Sequence, residues 1–394
     1  MYKKASLLFL VALTYSCSSD DSSNYVEIDP YAAITATFGG NINPESLYNY
    51  ANQTIPGYIT KDNTAGNSIT NKGATLGRVL FYDKNLSSNN TISCSSCHQQ
   101  ANAFGDTNIA STGVNGTTGR HSMRLINTRF ANETRFFWDE RAVNLETQTT
   151  MPIKDHGEMG FSGTNGDQNF NDLITKLSNI EYYKELFMFA YGSEEITENK
   201  IQLALAQFVR SIQSFDSKYD IGRAQVANDG QPFPNFTPQE NQGKNLFLSP
   251  PVFDATGNRT SGGLGCAGCH AAPEFDINPL SGNNGIIGTL NGNGIDITNT
   301  RAPSLRDLVK TDGTPNGPMM HTGVITTLQA AVGHYGTINL AQGNTNLDVK
   351  LRPNGFGQQL HLNAQEVNAV IAFLRTLSGT NVYTDVKWSN PFPN

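Results

Sequence analysis

Long apolar runs, cysteine and positive charge are all scarce in this sequence. No apolar run reaches about 18 residues, so no segment is predicted to cross a bilayer as a helix. The 27 Lys and Arg are outnumbered by 34 Asp and Glu, for a formal net charge of -7, which argues against a protein that binds nucleic acid. Five cysteines in 394 residues are too few for a disulfide scaffold, so their positions carry more information than their number.

The length and composition suffice for two or three domains, at about 150 residues each and with 38% hydrophobic residues. Apolar residues at helical spacing predict one amphipathic helix from Ile201 to Phe215 and another that is capped by Asn363 and continues to Leu374. Stretches rich in Gly, Asn and Thr at 105–119 and 277–300 show no strand-like alternation. We therefore expect a mainly α protein with long irregular loops.

Residues 1–17 have the features of a secretory signal peptide. Two lysines precede an apolar stretch from Ala5 to Leu13, and small or polar residues lead to Cys17. A cysteine at the cleavage point resembles a bacterial lipoprotein box, and the alternative is a plain signal with an incidental cysteine. We expect a polar tether over 18–45 and an exported protein, lipid-anchored at Cys17, on the periplasmic side or at the outer membrane.

The other four cysteines form two copies of the motif C-x-x-C-H, here called the first and the second motif. Their residues are Cys94, Cys97 and His98 in the first, and Cys266, Cys269 and His270 in the second. Two thiols at this spacing can bond the two vinyl groups of a haem while the histidine ligates its iron. Disulfides or a four-cysteine zinc site would also use C-x-x-C, but neither requires the histidine in both copies. The sequence therefore predicts two covalently bound c-type haems.

The sequences around the two motifs are similar as well. Gly-x-x-Leu-Phe precedes both motifs, beginning at Gly77 and at Gly243, and a Phe and then an Asp follow each motif. This similarity suggests a duplicated helical haem domain. We place the first domain at 46–225 and the second at 226–394.

Further motifs follow each haem motif. After the first come Asn127, Phe137-Trp138-Asp139-Glu140-Arg141-Ala142, Gln148, Pro152 and Glu158-Met159-Gly160, and after the second come Arg301-Ala302-Pro303-Ser304-Leu305-Arg306, His321-Thr322-Gly323 and Thr327-Leu328. With these motifs the chain resembles the bacterial dihaem cytochrome c peroxidases and the related MauG enzymes, from about Gly77 to Gly379. The resemblance implies two cytochrome c-like domains. It also implies that the N-terminal haem reacts with peroxide and the C-terminal haem receives and passes on electrons.

Three residues are candidates for the chemistry at the first haem. Cleavage of peroxide requires a proton to move from one oxygen to the other, for which a carboxylate in an open distal pocket is suited, and Glu158 is our candidate. The resemblance implies that Gln148 is the distal amide and that Trp138 is an indole lying between the haems. Without the family resemblance, the simplest interpretation is that Glu158 is a charged surface residue and Trp138 a core residue.

The expected axial ligands depart from the peroxidase pattern at the first haem. His98 and His270 are the predicted proximal ligands, but the histidine that caps the first iron in many of these peroxidases would fall near Gly113, and no histidine lies between His98 and His121. An open sixth position is therefore expected, with a shifted His121 as the alternative ligand. Since His121 replaces a family asparagine that binds calcium, calcium between the domains is left open.

At the second haem the resemblance implies Tyr335 as the sixth ligand. It stands fourteen residues after His321, where electron-transfer peroxidases carry a methionine and MauG carries a tyrosine. A phenolate ligand lowers the reduction potential relative to a thioether. The alternatives are His334, Met319 and Met320.

The resemblance favours a peroxidase that reduces hydrogen peroxide to water at the first haem, with electrons from a small c-type cytochrome or a cupredoxin entering through the second. One alternative is a MauG-like oxidase that uses peroxide to oxidise residues of a partner protein. Another is a non-catalytic electron carrier, against which Glu158 and Gln148 argue. The family often forms homodimers, so a homodimer is among the expected states.

Overall fold

The computed structural model describes residues 29–132, 135–277, 281–290, 292 and 294–393. The signal peptide, Cys17 and the first part of the predicted tether lie outside these residues. Among the helices of the described ranges, none combines the length and the apolar character that a bilayer span requires.

Helices joined by long irregular segments make up the fold, as the sequence predicts. The helices are α1 (Ala32–Phe38), α2 (Asn71–Tyr82), α3 (Cys94–Cys97), α4 (Leu145–Thr150), α5 (Phe170–Ser178), α6 (Glu181–Tyr191), α7 (Glu198–Ser211), α8 (Lys218–Arg223), α9 (Pro238–Leu248), α10 (Leu328–Gly336), α11 (Ala364–Arg375) and α12 (Asn381–Thr384). Short antiparallel pairs join β1 (Thr112–Gly113) to β2 (Gly116–Thr117), β3 (Pro251–Phe253) to β4 (Arg259–Gly262), and β5 (His270–Ala271) to β6 (Asp276–Ile277). The prediction of a mainly α fold is confirmed.

The same helix pair occurs next to each haem motif. Helix α2 packs on α7, and α9 packs on α11. At each crossing the residue in closest contact is a glycine, which has no side chain. A Cβ at Gly77 would overlap the Ala204 carbonyl oxygen, and a Cβ at Gly243 would overlap the Ala369 carbonyl oxygen. Such close helix contact allows dense packing. A helix pair with a glycine at its crossing therefore occurs once beside each motif, and the duplication itself stays a prediction.

Both ends of the described chain pack on the first core, which is built mainly on α2, α6 and α7. Helix α1 buries Ile34 and Phe38 there, although the sequence places these residues in the tether. From the C-terminal segment, Val382 and Trp388 join the same core. The Tyr82 hydroxyl donates to the Trp388 carbonyl oxygen at 2.6 Å. The first core thus draws on residues far outside 46–225.

The two predicted amphipathic helices form, with one difference in length. Asn363 caps α11, since its Oδ1 accepts from the Glu366 amide at 2.9 Å. Helix α7 ends at Ser211 rather than continuing to Phe215, because the next residues pair with Asn127 instead. The Ser214 amide donates to Asn127 Oδ1 at 2.8 Å, and Asn127 Nδ2 donates back to the Ser214 carbonyl at 3.1 Å.

Candidate active site

The first motif lies on a single helical turn, so its two thiols emerge from one short element. Helix α3 begins after Ser93, which forms a capping box with Ser96, and His98 follows its last residue. The His98 Nδ1 lies 3.1 Å from the carbonyl oxygen of Phe104, a residue held buried at positive φ. Nδ1 therefore donates, and the lone pair of Nε2 is left for a metal.

Burial favours the uncharged forms of the side chains in the first motif. It lowers the pKa of His98, which favours the neutral imidazole that iron requires. It raises the pKa of Cys94 to about 12 and that of Cys97 to about 11. None of the four motif cysteines forms a disulfide in the described residues, which leaves all four for attachment of a cofactor. In the described ranges no group of three or more His, Cys, Asp or Glu is placed to hold a metal ion.

The second motif opens into a cavity of about 420 Å³. Cys266, Cys269 and His270 line it, as does Tyr335, and most of the remaining wall is apolar. Burial lowers the pKa of His270 to about 4, which again favours a neutral imidazole. A haem held by the two cysteines and His270 matches this donor set and this apolar wall.

Two arginines on the cavity wall provide a further test of that fit. Arg124 and Arg301 both line the cavity, and in the part of the chain described here their buried Nε groups have no hydrogen-bond partner. Burial without a partner is costly for a guanidinium N–H. The carboxylates of a haem would supply the missing acceptors. Arg124 was not recognised from the sequence, because nothing in the residues around it indicates that it would lie on the cavity of the second motif, which is distant along the chain.

Glu158 lies on a loop that is fixed to the β1–β2 hairpin. The Val114 amide donates to the Glu158 carbonyl oxygen at 2.9 Å, and the Asn115 amide to that of Gly157 at 3.1 Å. Asp155 Oδ1 accepts from the Glu158 amide at 2.9 Å. The carboxyl group is partly buried, and its pKa is raised to about 7 by burial and by Asp155, with Arg141 opposing. Such a pKa suits a group that must both accept and donate a proton near neutral pH.

The hairpin approaches the Glu158 loop so closely that only glycine fits at position 113. A Cβ on Gly113 would overlap the Gly157 carbonyl oxygen and lie 2.8 Å from Glu158 Cα. Near the position where the family resemblance places the capping histidine of many peroxidases, this chain therefore has a glycine that packs against the backbone of the Glu158 loop.

Exchange of Gly113 for alanine tests the role of this contact. We expect a loss of about 1–3 kcal/mol in the free energy of unfolding, because the added methyl group overpacks the contact. We also expect the peroxide reaction that the family resemblance implies to slow by up to about 10²-fold, the cost of a misplacement of about 1 Å. Urea unfolding and stopped-flow spectroscopy measure the two effects. Gly119→Ala is the matched control, since a Cβ there meets nothing within 4 Å, and equal behaviour of the two variants would contradict the expectation.

Trp138 is buried where the two halves of the chain meet. Its Nε1 donates to the His121 carbonyl oxygen at 2.7 Å, and its own carbonyl accepts from the Arg301 amide at 2.7 Å. Its ring lies 6.3 Å from that of His321, and it lines the cavity of the second motif. Phe137 beside it has φ +72°, a strained backbone for an aromatic residue. Trp138 is thus held rigidly next to the second motif.

Among the candidate residues for the first haem, Gln148 has no direct hydrogen bond to Glu158 in the described residues. It lies in the last turn of α4, partly buried.

His121 lies on the wall of the second cavity. Its Nδ1 is 3.0 Å from the Asn108 carbonyl oxygen and 3.2 Å from that of Ile109. These carbonyls fix the ring, so its Nδ1 donates to them.

Two of the three alternatives to Tyr335, His334 and Met320, have hydrogen-bond partners of their own. His334 places its Nε2 2.9 Å from the Asn284 carbonyl oxygen, and the Met320 thioether accepts from Asn284 Nδ2 at 3.2 Å. Tyr335, Met319 and Met320 all line the cavity of the second motif. Burial raises the pKa of Tyr335 above its ordinary value, whereas the side chain of Asn284 lowers it by hydrogen bonding.

Comparison with known proteins finds similarity to the same family. A family model described as di-haem cytochrome c peroxidase matches residues 71–226. The methylamine utilization protein MauG of Methylophilus methylotrophus is 27% identical over 322 residues, 79% of this chain and 84% of that protein. The cytochrome c551 peroxidase of Nitrosomonas europaea is 27% identical over 321 residues, 78% of this chain and 80% of that protein. A crystal structure of a MauG-like protein associated with microbial copper homeostasis has a TM-score of 0.65 and 27% identity, covering 86% of this chain and 99% of that one.

Proposed function

Because this chain is a relative of the dihaem cytochrome c peroxidases and the MauG proteins, a family of oxidoreductases, we propose that it reacts with hydrogen peroxide at a haem held by Cys94, Cys97 and His98. The observation that carries this proposal is Glu158, a partly buried carboxyl group with a pKa of about 7 near the first motif. The haem iron supplies the redox chemistry, and the protein supplies proton transfer and geometry.

The side chains around the first motif have separate tasks. Glu158 as carboxylate accepts the proton of incoming peroxide at one carboxyl oxygen and returns it to the departing oxygen, which leaves as water. Asp155 and the β1–β2 hairpin hold the Glu158 backbone while this happens. His98 Nδ1 keeps its proton and donates it in a hydrogen bond to the Phe104 carbonyl oxygen. The unprotonated Nε2 is then available as a ligand. Gln148 is proposed to bind the distal oxygen as a hydrogen-bond donor.

At the second motif, Cys266 and Cys269 would hold the other haem, with His270 as one ligand and Tyr335 as the other. Arg124 and Arg301 would bind its carboxylates. Trp138 lies against this site with its indole hydrogen-bonded, and we assign it to electron transfer between the two centres. An exported location with a lipid anchor at Cys17 suits electron delivery from a small c-type cytochrome or cupredoxin.

Steady turnover of peroxide with such a reduced donor tests the peroxidase against the MauG-like oxidase. A peroxidase oxidises the donor continuously at a rate set by peroxide. A phenolate ligand from Tyr335 favours the oxidase as the second candidate, because it stabilises oxidised iron. In that case the donor is oxidised slowly while a partner protein gains oxygen or cross-links, which mass spectrometry detects.

Replacement of Tyr335 by methionine tests the ligand at the second haem. We expect its reduction potential to rise by on the order of 100 mV, within the ~0.8 V range over which axial ligands set haem potentials. The reason is that a neutral thioether stabilises oxidised iron less than a phenolate does. Spectroelectrochemical titration measures the change. Met320→Leu is the control and should leave the potential unchanged; a shift in this variant alone would assign the ligand to Met320.

A further inference from the structure

Asp83 is a buried carboxylate whose partners are phenols instead of a cation. It is 4% exposed and follows the last residue of α2. Its Oδ2 accepts from the hydroxyl groups of both Tyr182 and Tyr183 at 2.7 Å, while its Oδ1 accepts from the Asn85 amide at 2.8 Å. Within the described part of the chain no lysine or arginine forms an ion pair with it, which is unusual for a buried charge.

The electrostatic interaction of Asp83 with Lys176 does not change this picture. The Lys176 ammonium interacts with Asp83 through space, but its Nζ donates to the Ser87 carbonyl oxygen and to Asn90 Oδ1. The negative charge of Asp83 is therefore stabilised chiefly by O–H donors. A carboxylate in this setting is a ready proton acceptor for whichever phenol loses its proton.

The two tyrosines connect the interior of the first core with its surface. Tyr183 is fully buried in the first core, and Cys94 packs against the same core. Tyr182 is partly exposed. The ring centroids of the pair are 4.8 Å apart, and Tyr182 continues to Phe38 at 5.3 Å. A pair of phenol rings thus leads from the core against which Cys94 packs to the partly exposed Tyr182.

We propose that Tyr183 and Tyr182 form a proton-coupled electron relay to the first haem, with Asp83 as the proton acceptor and a small phenol as the external reductant. The relay rests on the proposed function, since reaction with peroxide supplies the oxidant. It adds an entry for electrons on the side of α6, separate from Trp138 and the second motif.

Each transfer balances in electrons and protons. Tyr183 gives one electron to the first haem after its reaction with peroxide, and its phenolic proton moves to Asp83 Oδ2. Tyr182 then gives an electron to the Tyr183 radical, while Asp83 returns the first proton to Tyr183 and takes the proton of Tyr182. Finally the external phenol gives one electron to the Tyr182 radical, Asp83 returns its proton to Tyr182, and the phenol releases its own proton to water. Two passes supply the two electrons that one peroxide consumes.

To test the relay, the haem-loaded protein is mixed with peroxide in the absence of an electron donor and is then frozen. Its electron paramagnetic resonance spectrum is recorded. We expect an organic radical whose spectrum narrows when ring-deuterated tyrosine is incorporated. Tyr183→Phe should abolish this radical. Tyr182→Phe should retain it but lose its rapid reduction by an added small phenol. Asp83→Asn keeps hydrogen-bond acceptance without a base, so a diminished radical there separates proton transfer from packing.

The matched control is Tyr191→Phe on the same helix. The Tyr191 hydroxyl donates at 3.0 Å to the Lys200 carbonyl oxygen, which cannot take its proton. This variant should behave as the unmodified protein does. An unchanged radical in Tyr183→Phe, or none in the unmodified protein although its haem spectrum responds to peroxide, overturns the relay and leaves the proposed function standing. A haem spectrum that does not respond to peroxide overturns both.

Discussion

Exchange of Glu158 for glutamine is expected to slow the reaction with peroxide by about 10²- to 10⁴-fold, the usual contribution of a positioned acid/base. Glutamine keeps the size and the polarity of the side chain but cannot accept a proton. Stopped-flow spectroscopy under single-turnover conditions gives the rate. Glu181→Gln on α6 changes a carboxylate of the ion pair with Lys184 and should leave the rate unchanged. An unaltered rate in Glu158→Gln would remove Glu158 from this role.

The pH dependence supplies a second signature of the same group. Because the pKa of Glu158 is raised to about 7, the reactive carboxylate form increases as the pH passes through that value. The rate in the unmodified protein should therefore rise between about pH 6 and 8 and then level off, whereas the glutamine variant should lack this rise. A rise that persists in the variant would assign the titration to another group.

The raised pKa of Glu158 also predicts how the free energy of unfolding depends on pH, and this separates an effect on catalysis from an effect on folding. A carboxyl group whose pKa is higher in the folded than in the unfolded protein opposes folding once the pH exceeds its unfolded value, here 4.5. This penalty grows as the pH rises to about 7 and is absent in the glutamine variant. Glu158→Gln should therefore be no less stable than the unmodified protein at pH 8 by this effect, and urea unfolding there separates lost chemistry from lost structure.

Exchange of Arg306 for alanine is expected to cost about 3–5 kcal/mol in the free energy of unfolding, the range found when one partner of a buried ion pair is removed. Arg306 is fully buried, and its Nη1 lies 2.9 Å from Asp220 Oδ2. Its Nη2 donates to the Pro273 carbonyl oxygen at 2.9 Å, three residues after His270. The variant thus leaves a buried carboxylate unpaired next to the second motif. Urea unfolding measures the loss.

The charge of Asp220 determines how that loss varies with pH. Burial by itself would raise the pKa of Asp220, but the Arg306 guanidinium outweighs it and lowers the pKa below its ordinary value. The stabilisation is present above the unfolded pKa and is lost as the pH falls through the lowered one. The difference between the two proteins should therefore shrink in acid. A double variant, Arg306→Met with Asp220→Asn, should recover part of the stability because no charge remains buried.

An exposed ion pair provides the comparison for Arg306. Lys184 and Glu181 lie one turn apart on the surface of α6, with Nζ and Oε2 2.8 Å apart. Lys184→Ala should change the free energy of unfolding by about 0.5 kcal/mol or less. A similar small change in Arg306→Ala would contradict the assignment of a structural role to the buried pair.

Local spacing accounts for most of what the sequence predicted correctly. A C-x-x-C-H motif places two thiols and an imidazole within one turn, and the Asn363 cap acts on Glu366 three residues later. Such relations depend on neighbours in the chain and need no knowledge of the fold. The family resemblance and the mainly α class follow from the same local patterns. The roles of Glu158, Gln148 and Tyr335 stay predictions.

Contacts between distant segments decided the rest. The end of α7 at Ser211 depends on Asn127, and the burial of Ile34 and Phe38 depends on α6, none of which is marked in the local sequence.

The amino-acid sequence by itself determined the two C-x-x-C-H motifs, the mainly α class and the similarity to the dihaem peroxidases and MauG proteins. Only the tertiary structure decided that Gly113 packs on the Glu158 loop, that Arg124 faces the second cavity, and that two tyrosines share one oxygen of Asp83. The physical reason is that the pKa of a group and the partner of a buried charge depend on burial and on the side chains around them, and these are set by segments that meet only after the chain has folded.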